Sequence, residues 1–233
     1  MTTTLPPYEV HWHPATVSIP AATPTAFTTH YPVRLTDGSV LKLPLRALPG
    51  GQQAIALLMS NQTPFPIEDV LAGLMTTQAQ ALAPQMVAAV PTMGLDYARR
   101  VARDLGLPHY AAMGLSRKFW YDEALSEPVV SSTSPDQSKR LYLDPALLDR
   151  VAGQTVVLVD DVINTGASAL AAIRLLHKAG AHVAGLVVAL TEGQAWREAL
   201  AVLGDGWPDK VHAIGHIPLF EAAPAGGWRA LPE

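Results

Sequence analysis

The chain has 233 residues, 49% hydrophobic and 15% charged, with a formal net charge of −4. That balance suits a folded globular protein with a sizeable core and excludes a disordered one, while the acidic charge argues against a global basic field for nucleic acid, so any anion site must be local. Cysteine is absent, which excludes disulfides and thiolate metal sites; no run approaches the ~18 apolar residues of a membrane span, and "MTTTLPPYEVHWHP" lacks the parts of a secretory signal, so a cytoplasmic protein without membrane or nucleic-acid partners is expected.

Residues 1–32 carry Pro6, Pro7, Pro14, Pro20, Pro24 and Pro32 among many threonines. Such a segment cannot be helical and is expected to run extended or pair at a sheet edge. "HYPVRLTDGSVLKLPLR" has two alternating runs around Asp37-Gly38, a hairpin signal. After the break at Gly50-Gly51, "QQAIALLMSNQ" reads as a helix. "PIEDVLAGLMTTQAQALAP" reads as another, with Pro66, Glu68 and Asp69 at its start, where the dipole favours acids.

The pattern then becomes regular. "QMVAAV" is a short strand, "GLDYARRVARDLG" an amphipathic helix stopped by Gly106, and "PHYAAMG" a strand. A long polar stretch follows, of a length that is usually functional or mobile. "KRLYLD" is a strand candidate, with Asp144-Pro145 as a cap pair. "TVVLV" is a strand, "GASALAAIRLLHKAG" a helix, "HVAGLVVAL" a strand, "QAWREALAVLG" a helix and "KVHAIGHI" a last strand. Alternation with near-continuous apolar strands implies an α/β fold, with a parallel sheet flanked by helices.

The chemistry concentrates in "TVVLVDDVINTGAS". Four apolar residues end in Asp160 and Asp161, and Asn164, Thr165, Gly166, Ala167 and Ser168 lead into the next helix. Ligands of open α/β sheets bind beyond the carboxyl ends of strands. A helix start offers unpaired N–H groups and a positive dipole end to a phosphate. Gly166 allows close backbone approach, and the Thr165 and Ser168 hydroxyls add donors. Carboxylates that accept from sugar hydroxyls and a loop that grips a phosphate together fit a ribose 5-phosphate. A single acid at a strand end also commonly caps a helix, but here the Thr-Gly-Ala-Ser context is attached. The chain has no Gly-x-x-x-x-Gly-Lys-Ser/Thr loop, which argues against an ordinary P-loop site.

On these residues the chain resembles the type I phosphoribosyltransferases, whose motif binds 5-phosphoribosyl-1-pyrophosphate (PRPP). Asn164 departs from the small or hydroxylated residue usual there. The resemblance extends over roughly residues 84–192 and implies a Rossmann-like core. It implies that Pro91, Thr92, Met93 and Gly94 contact pyrophosphate, along with Arg117 and Lys118. It further implies that Asp160 and Asp161 orient the ribose hydroxyls and magnesium waters, with Mg2+ held mainly by PRPP and water, and that Lys118 acts in catalysis. Residues 1–83 would be an N-terminal hood that selects the base, and residues 84–233 the core, with a flexible loop at 119–138.

The implied reaction transfers ribose 5-phosphate from PRPP to a nucleobase, releasing pyrophosphate. "SRK" and "KRLYLDP" resemble segments of adenine-type members, which puts a purine first. A homodimer is also implied. The alternative is a PRPP-binding or nucleotide-binding regulator with the same fold and no turnover. Several residues also have plainer readings. Arg117-Lys118 reads equally as a solvated loop pair, and the 90–94 segment as an ordinary turn. Arg99, Arg100 and Arg103 fit a solvated helix face, and His11 and His13 lack a third metal ligand. Phe119, Trp120 and Tyr121 suit a base-stacking lid, a loop anchor or a dimer contact, and Glu123 and Glu127 are possible proton carriers by position.

Overall fold

The structure is a computed structural model that describes residues 7–17, 26–129 and 139–232. In chain order it begins with strands β1 (His11–His13), β2 (His30–Arg34), β3 (Val40–Ala47) and β4 (Gln53–Ala56), then helix α1 (Phe65–Gln80). Next come β5 (Met86–Ala89), α2 (Gly94–Asp104), β6 (Ala111–Ala112), β7 (Ser126–Val129), β8 (Lys139–Tyr142) and α3 (Leu148–Val151). The series closes with β9 (Thr155–Ile163), α4 (Ala167–Lys178), β10 (His182–Glu192), α5 (Ala195–Ala201), β11 (Val211–Ile217), β12 (Phe220–Ala222) and β13 (Trp228–Ala230).

The core is a five-stranded sheet in the order β11-β10-β9-β5-β6, and every pair in it is parallel. Its strands are buried on both faces, as the continuous Val/Leu/Ala runs predict. Val87, Ala89, Val157, Val159 and Val187 point into one core, shared with α1, α2 and the N-terminal strands. Their neighbours Ala88, Val156, Leu158, Leu186 and Val188 point into the other, shared with α4 and α5.

The N-terminal strands form an antiparallel sheet, β1-β3-β4-β12-β13, with β2 on β3. The hairpin at Asp37-Gly38 is present, with Gly38 at φ 83° as such a turn requires. This sheet packs tightly on the core. A side chain at Gly215 of β11 would lie 2.8 Å from Leu190, 2.9 Å from Val33 and 3.0 Å from Leu35, so only glycine admits β2 there.

Several elements depart from the sequence expectation. The segment expected to be helical at 52–62 is instead strand β4 followed by a 3-10 turn, Ser60–Gln62. Gly50 and Gly51 both adopt positive φ and fold β4 back onto β3, where Ala54 and Ala56 alternate inward. Sheet pairing here overrides the helical propensity of Gln, Ala and Leu. The chain does not end its sheets at β11. Strands β12 and β13 return to the N-terminal sheet, so that module is not built from residues 1–83 alone. The stretch expected to be a loop at 119–138 contains a 3-10 turn, Glu123–Leu125, and strand β7, which pairs antiparallel with β8. Residues 130–138 lie outside the described residues, as do Pro6, Pro20 and Pro24.

No helix among the described residues is long and apolar enough to cross a membrane. Phe220 is 1% exposed and packs edge-on against Phe27 and Tyr31. Phe220→Ala is expected to lower stability by about 3–4 kcal/mol, read as a lower urea midpoint at unchanged slope.

Candidate active site

The site forms because β9 outruns β5. The pairing of β5 with β9 stops at Ala89–Val159, and Val90 N–H still donates to the Val159 carbonyl at 3.1 Å. On the other side, β10 stays paired with β9 through Asp160, Val162 and Ile163. The strand therefore does not end at the acids, as the sequence suggested, but continues through them to Ile163. Asp160 and Asp161 thus sit on a rigid strand, open on the flank that β5 has vacated.

That flank is a cavity of about 300 Å³. It brings together Pro91, Thr92 and Met93 from the turn after β5, Asp160 and Asp161, and Asn164, Thr165, Gly166, Ala167 and Ser168 at the start of α4. The Pro91–Thr92 peptide bond is cis. Gly94 does not line the cavity. A Cβ there would lie 2.8 Å from Asp160 Oδ1 and 2.9 Å from the Val159 carbonyl oxygen, so glycine lets α2 start flush against the acids.

The acids carry an electrostatic load. Burial, then the neighbouring Asp161 charge, push the Asp160 carboxyl well above the usual carboxylate range. Burial raises Asp161 as well. Asp160 Oδ1 accepts the Asp161 backbone N–H at 2.9 Å, a local bond that offsets only part of the desolvation. Among the described residues, the charged side chains lining the cavity are these two acids.

At the other end, Gly166 caps α4 in the left-handed region, φ 79°. Its missing side chain faces α5 rather than the cavity, because a Cβ would lie 3.0 Å from Ala199 Cβ and 3.2 Å from Trp196 Cα. The glycine therefore seats the loop on α5 and frees the first-turn N–H groups of α4, which have no intrahelical acceptors. Asn164 Nδ2 donates to Glu192 Oε2 at 2.7 Å.

Glu192 was not singled out from the sequence. Its signal is the one that marks Asp160, an acid at the end of an apolar strand, "LVVALTE". It is 6% exposed, and burial, countered in part by the Asn164 bond, raises its pKa to about 6. Tyr8, Ser60 and Tyr97 were also missed. The Ser60 hydroxyl lies 2.8 Å from the Met93 carbonyl oxygen and 3.0 Å from Asp96 Oδ2, fastening the N-terminal module to the 90–93 turn. Tyr8 OH accepts the Met59 N–H at 3.1 Å and lies 3.1 Å from Thr63 Oγ1. Burial raises Tyr97, whose hydroxyl has no hydrogen-bond partner among the described residues.

The remaining candidates lie elsewhere. Arg117 and Lys118 are exposed and do not line the cavity, and Arg117 pairs with Glu123 at 3.5 Å. Glu123 also pairs with Arg140, and Glu127 pairs with Lys178 at 2.7 Å, so both acids brace the β7–β8 hairpin. Trp120 donates to Asp144 Oδ2 at 3.1 Å, whereas Phe119 is 96% exposed. Arg100 pairs with Asp69 and Asp104 on the helix surface. His11 stacks near His30, and no metal-holding cluster of three or more His, Asp or Glu occurs among the described residues.

Comparison with known proteins bears on this arrangement. Residues 66–207 match the phosphoribosyl transferase domain family. An orotate phosphoribosyltransferase from Pyrobaculum aerophilum is 50% identical over 50 residues, 22% of this chain and 26% of the relative. An adenine phosphoribosyltransferase from Erythrobacter litoralis is 57% identical over 44 residues, 19% of this chain and 24% of the relative. The chain thus spans about a quarter of the length of these curated relatives. The solved APRTase from Giardia lamblia complexed with 9-deazaadenine superposes with a TM-score of 0.54 at 18% identity, covering 65% of this chain and 80% of that one, a likeness of fold.

Two outcomes are expected. Gly166→Ala forces a non-glycine residue into the left-handed region and against α5, and should cost about 1–3 kcal/mol in chemical denaturation. Glu192→Gln should change how stability depends on pH. A buried acid whose folded pKa is raised from 4.5 to about 6 binds more protons folded than unfolded between those values, so the wild type loses stability as pH rises through them. The variant should therefore gain about 2 kcal/mol relative to wild type above pH ~7 and nothing below pH ~4, read as the difference between two melting curves across pH.

Proposed function

The chain belongs to the type I phosphoribosyltransferase family, and on that premise we propose that it transfers ribose 5-phosphate from PRPP to a nucleobase, releasing pyrophosphate. The observation that carries this is the shared cavity: a buried and a half-buried acid on β9, the 164–168 loop and the 90–93 turn face one space. The 164–168 loop holds the 5′-phosphate with its N–H groups and the Thr165 and Ser168 hydroxyls. Asp160 and Asp161 accept from the ribose hydroxyls, and their charge favours the positive character that develops at C1′ as the bond to pyrophosphate breaks. The Pro91, Thr92 and Met93 turn faces the departing pyrophosphate.

We propose magnesium as an ion held mainly by substrate oxygens and water, with Asp160 and Asp161 beside it, since the described residues contain no metal-ligating cluster of their own. When bound, it supplies neutralising charge to the pyrophosphate. Arg117 and Lys118 reach that group only if the exposed 115–121 segment swings inward, and in that closed arrangement we assign Lys118 its catalytic role. We assign choice of acceptor to the N-terminal module. Where it meets α2, a cavity of about 360 Å³ is lined by Ser60, Thr63, Phe65 and Asp96, and Phe65 is 80% exposed, a free face on which a base can stack. A purine, adenine first, is the proposed acceptor, although orotate and adenine enzymes both appear among the relatives.

The test is direct. The protein is incubated with PRPP, Mg2+ and, singly, adenine, hypoxanthine, guanine, orotate or uracil, and pyrophosphate and nucleotide are measured. Nucleotide is expected with adenine. Asp160→Asn with Asp161→Asn should reduce kcat/KM by at least about 10²-fold without lowering the melting temperature, because two desolvated carboxyl groups are replaced by amides of the same shape. Silence with every base sinks the enzymatic reading, and PRPP binding without turnover would instead mark a sensor of the same ligand.

A further inference from the structure

We propose that Glu192 is a positioning residue for the 5′-phosphate loop, acting through Asn164. The inference rests on the phosphoribosyl-transfer reading above and adds to it a residue outside the motif. Strand β10 pairs with β9 as far as Thr191–Ile163, so Glu192 and Asn164 are the next residues of two adjacent strands. The 2.7 Å bond from Asn164 Nδ2 to Glu192 Oε2 is short for an amide donor, as expected when the acceptor is a carboxylate. Asn164 itself is exposed and lines the cavity. An exposed Asn samples several rotamers, whereas one tied to a buried carboxylate is held in one.

The backbone that carries the carboxylate is itself anchored at the next residue. Gly193 N–H donates to the Ile217 carbonyl at 3.0 Å, and Trp196 Nε1 donates to the Gly193 carbonyl at 3.0 Å. The same Trp196 backs Gly166. One segment, 192–196, therefore supports the loop at both Asn164 and Gly166.

Stability alone does not account for this acid. Glu192 is 6% exposed, and its Oε1 has no hydrogen-bond partner among the described residues. An apolar residue in its place would carry no such desolvation cost. What the carboxylate provides is a fixed acceptor behind the loop. With one Asn164 N–H held there, the second is left for the cavity, where this chain has Asn in place of a hydroxylated or small residue.

The test is calorimetric titration of the full chain with ribose 5-phosphate and, separately, with Mg2+-pyrophosphate. Glu192→Ala should weaken ribose 5-phosphate binding about tenfold. Glu192→Gln, whose carbonyl still accepts, should stay within about twofold. Asn164→Ala should weaken it at least as much as Glu192→Ala, and the double variant should be no weaker than Asn164→Ala, because Glu192 acts only through Asn164. Pyrophosphate affinity should not change, which separates positioning from general loss of structure. Equal binding by wild type and Glu192→Ala, fully additive losses, or a parallel loss of pyrophosphate affinity would overturn the proposal while leaving phosphoribosyl transfer standing. Failure of the wild type to bind ribose 5-phosphate would overturn both.

Discussion

Two carboxyl groups side by side in a largely buried position organise this molecule. Asp160 and Asp161 lie on a strand that is fully paired on one flank and abandoned on the other, so neither can retreat into solvent without breaking the β9–β10 ladder. Burial holds both acids above the usual carboxylate range, with Asp160 displaced further by its neighbour's charge. The isolated fold therefore bears a cost that hydroxyl donors or a cation would relieve.

The surroundings serve to keep that geometry. Gly94 lets α2 begin against Asp160, and Gly166 lets the phosphate loop rest on α5. Both glycines sit where a Cβ would collide, so the cavity walls are set by backbone rather than by adjustable side chains. From the other side Ser60 reaches the Met93 carbonyl, coupling the N-terminal module to the turn after β5. The N-terminal packing and the 90–93 turn are thus joined through one hydroxyl.

The legible part of this arrangement was the part contiguous in sequence. Strand, acids, loop and helix fall within "TVVLVDDVINTGAS", and each has its own local signature, so the parallel core and the double acid were readable directly. The expected helix at 52–62 failed because its fate is decided by two partners, β3 and the distant β12, neither visible in a local window. Strands β12 and β13 were missed for the same reason, being short and stable only by returning to the N-terminal sheet. Glu192 escaped notice because its significance depends on the β9–β10 register, which places it beside Asn164. Gly94 and Gly166 were read as ligand contacts; Gly166 does line the cavity, and what the sequence did not disclose is that their empty side-chain positions face Asp160 and α5.

The charge inside the cavity constrains what can enter it. Among the described residues its charged side chains are both acids, and the positive elements are the backbone N–H groups of α4. A helix start can satisfy one anionic group. Among the described residues nothing cationic lines the opposite end, beside the two carboxylates. A polyanion is admitted there only if its charge is already neutralised or if Arg117 and Lys118 are carried in from the surface. Arg117 is exposed and held by Glu123 at 3.5 Å, a solvent-screened pair worth less than about 1 kcal/mol. Little opposes its release, whereas the acids cannot move. The electrostatics thus set the fixed, doubly acidic wall on β9 apart from the weakly held surface cations at 117–118.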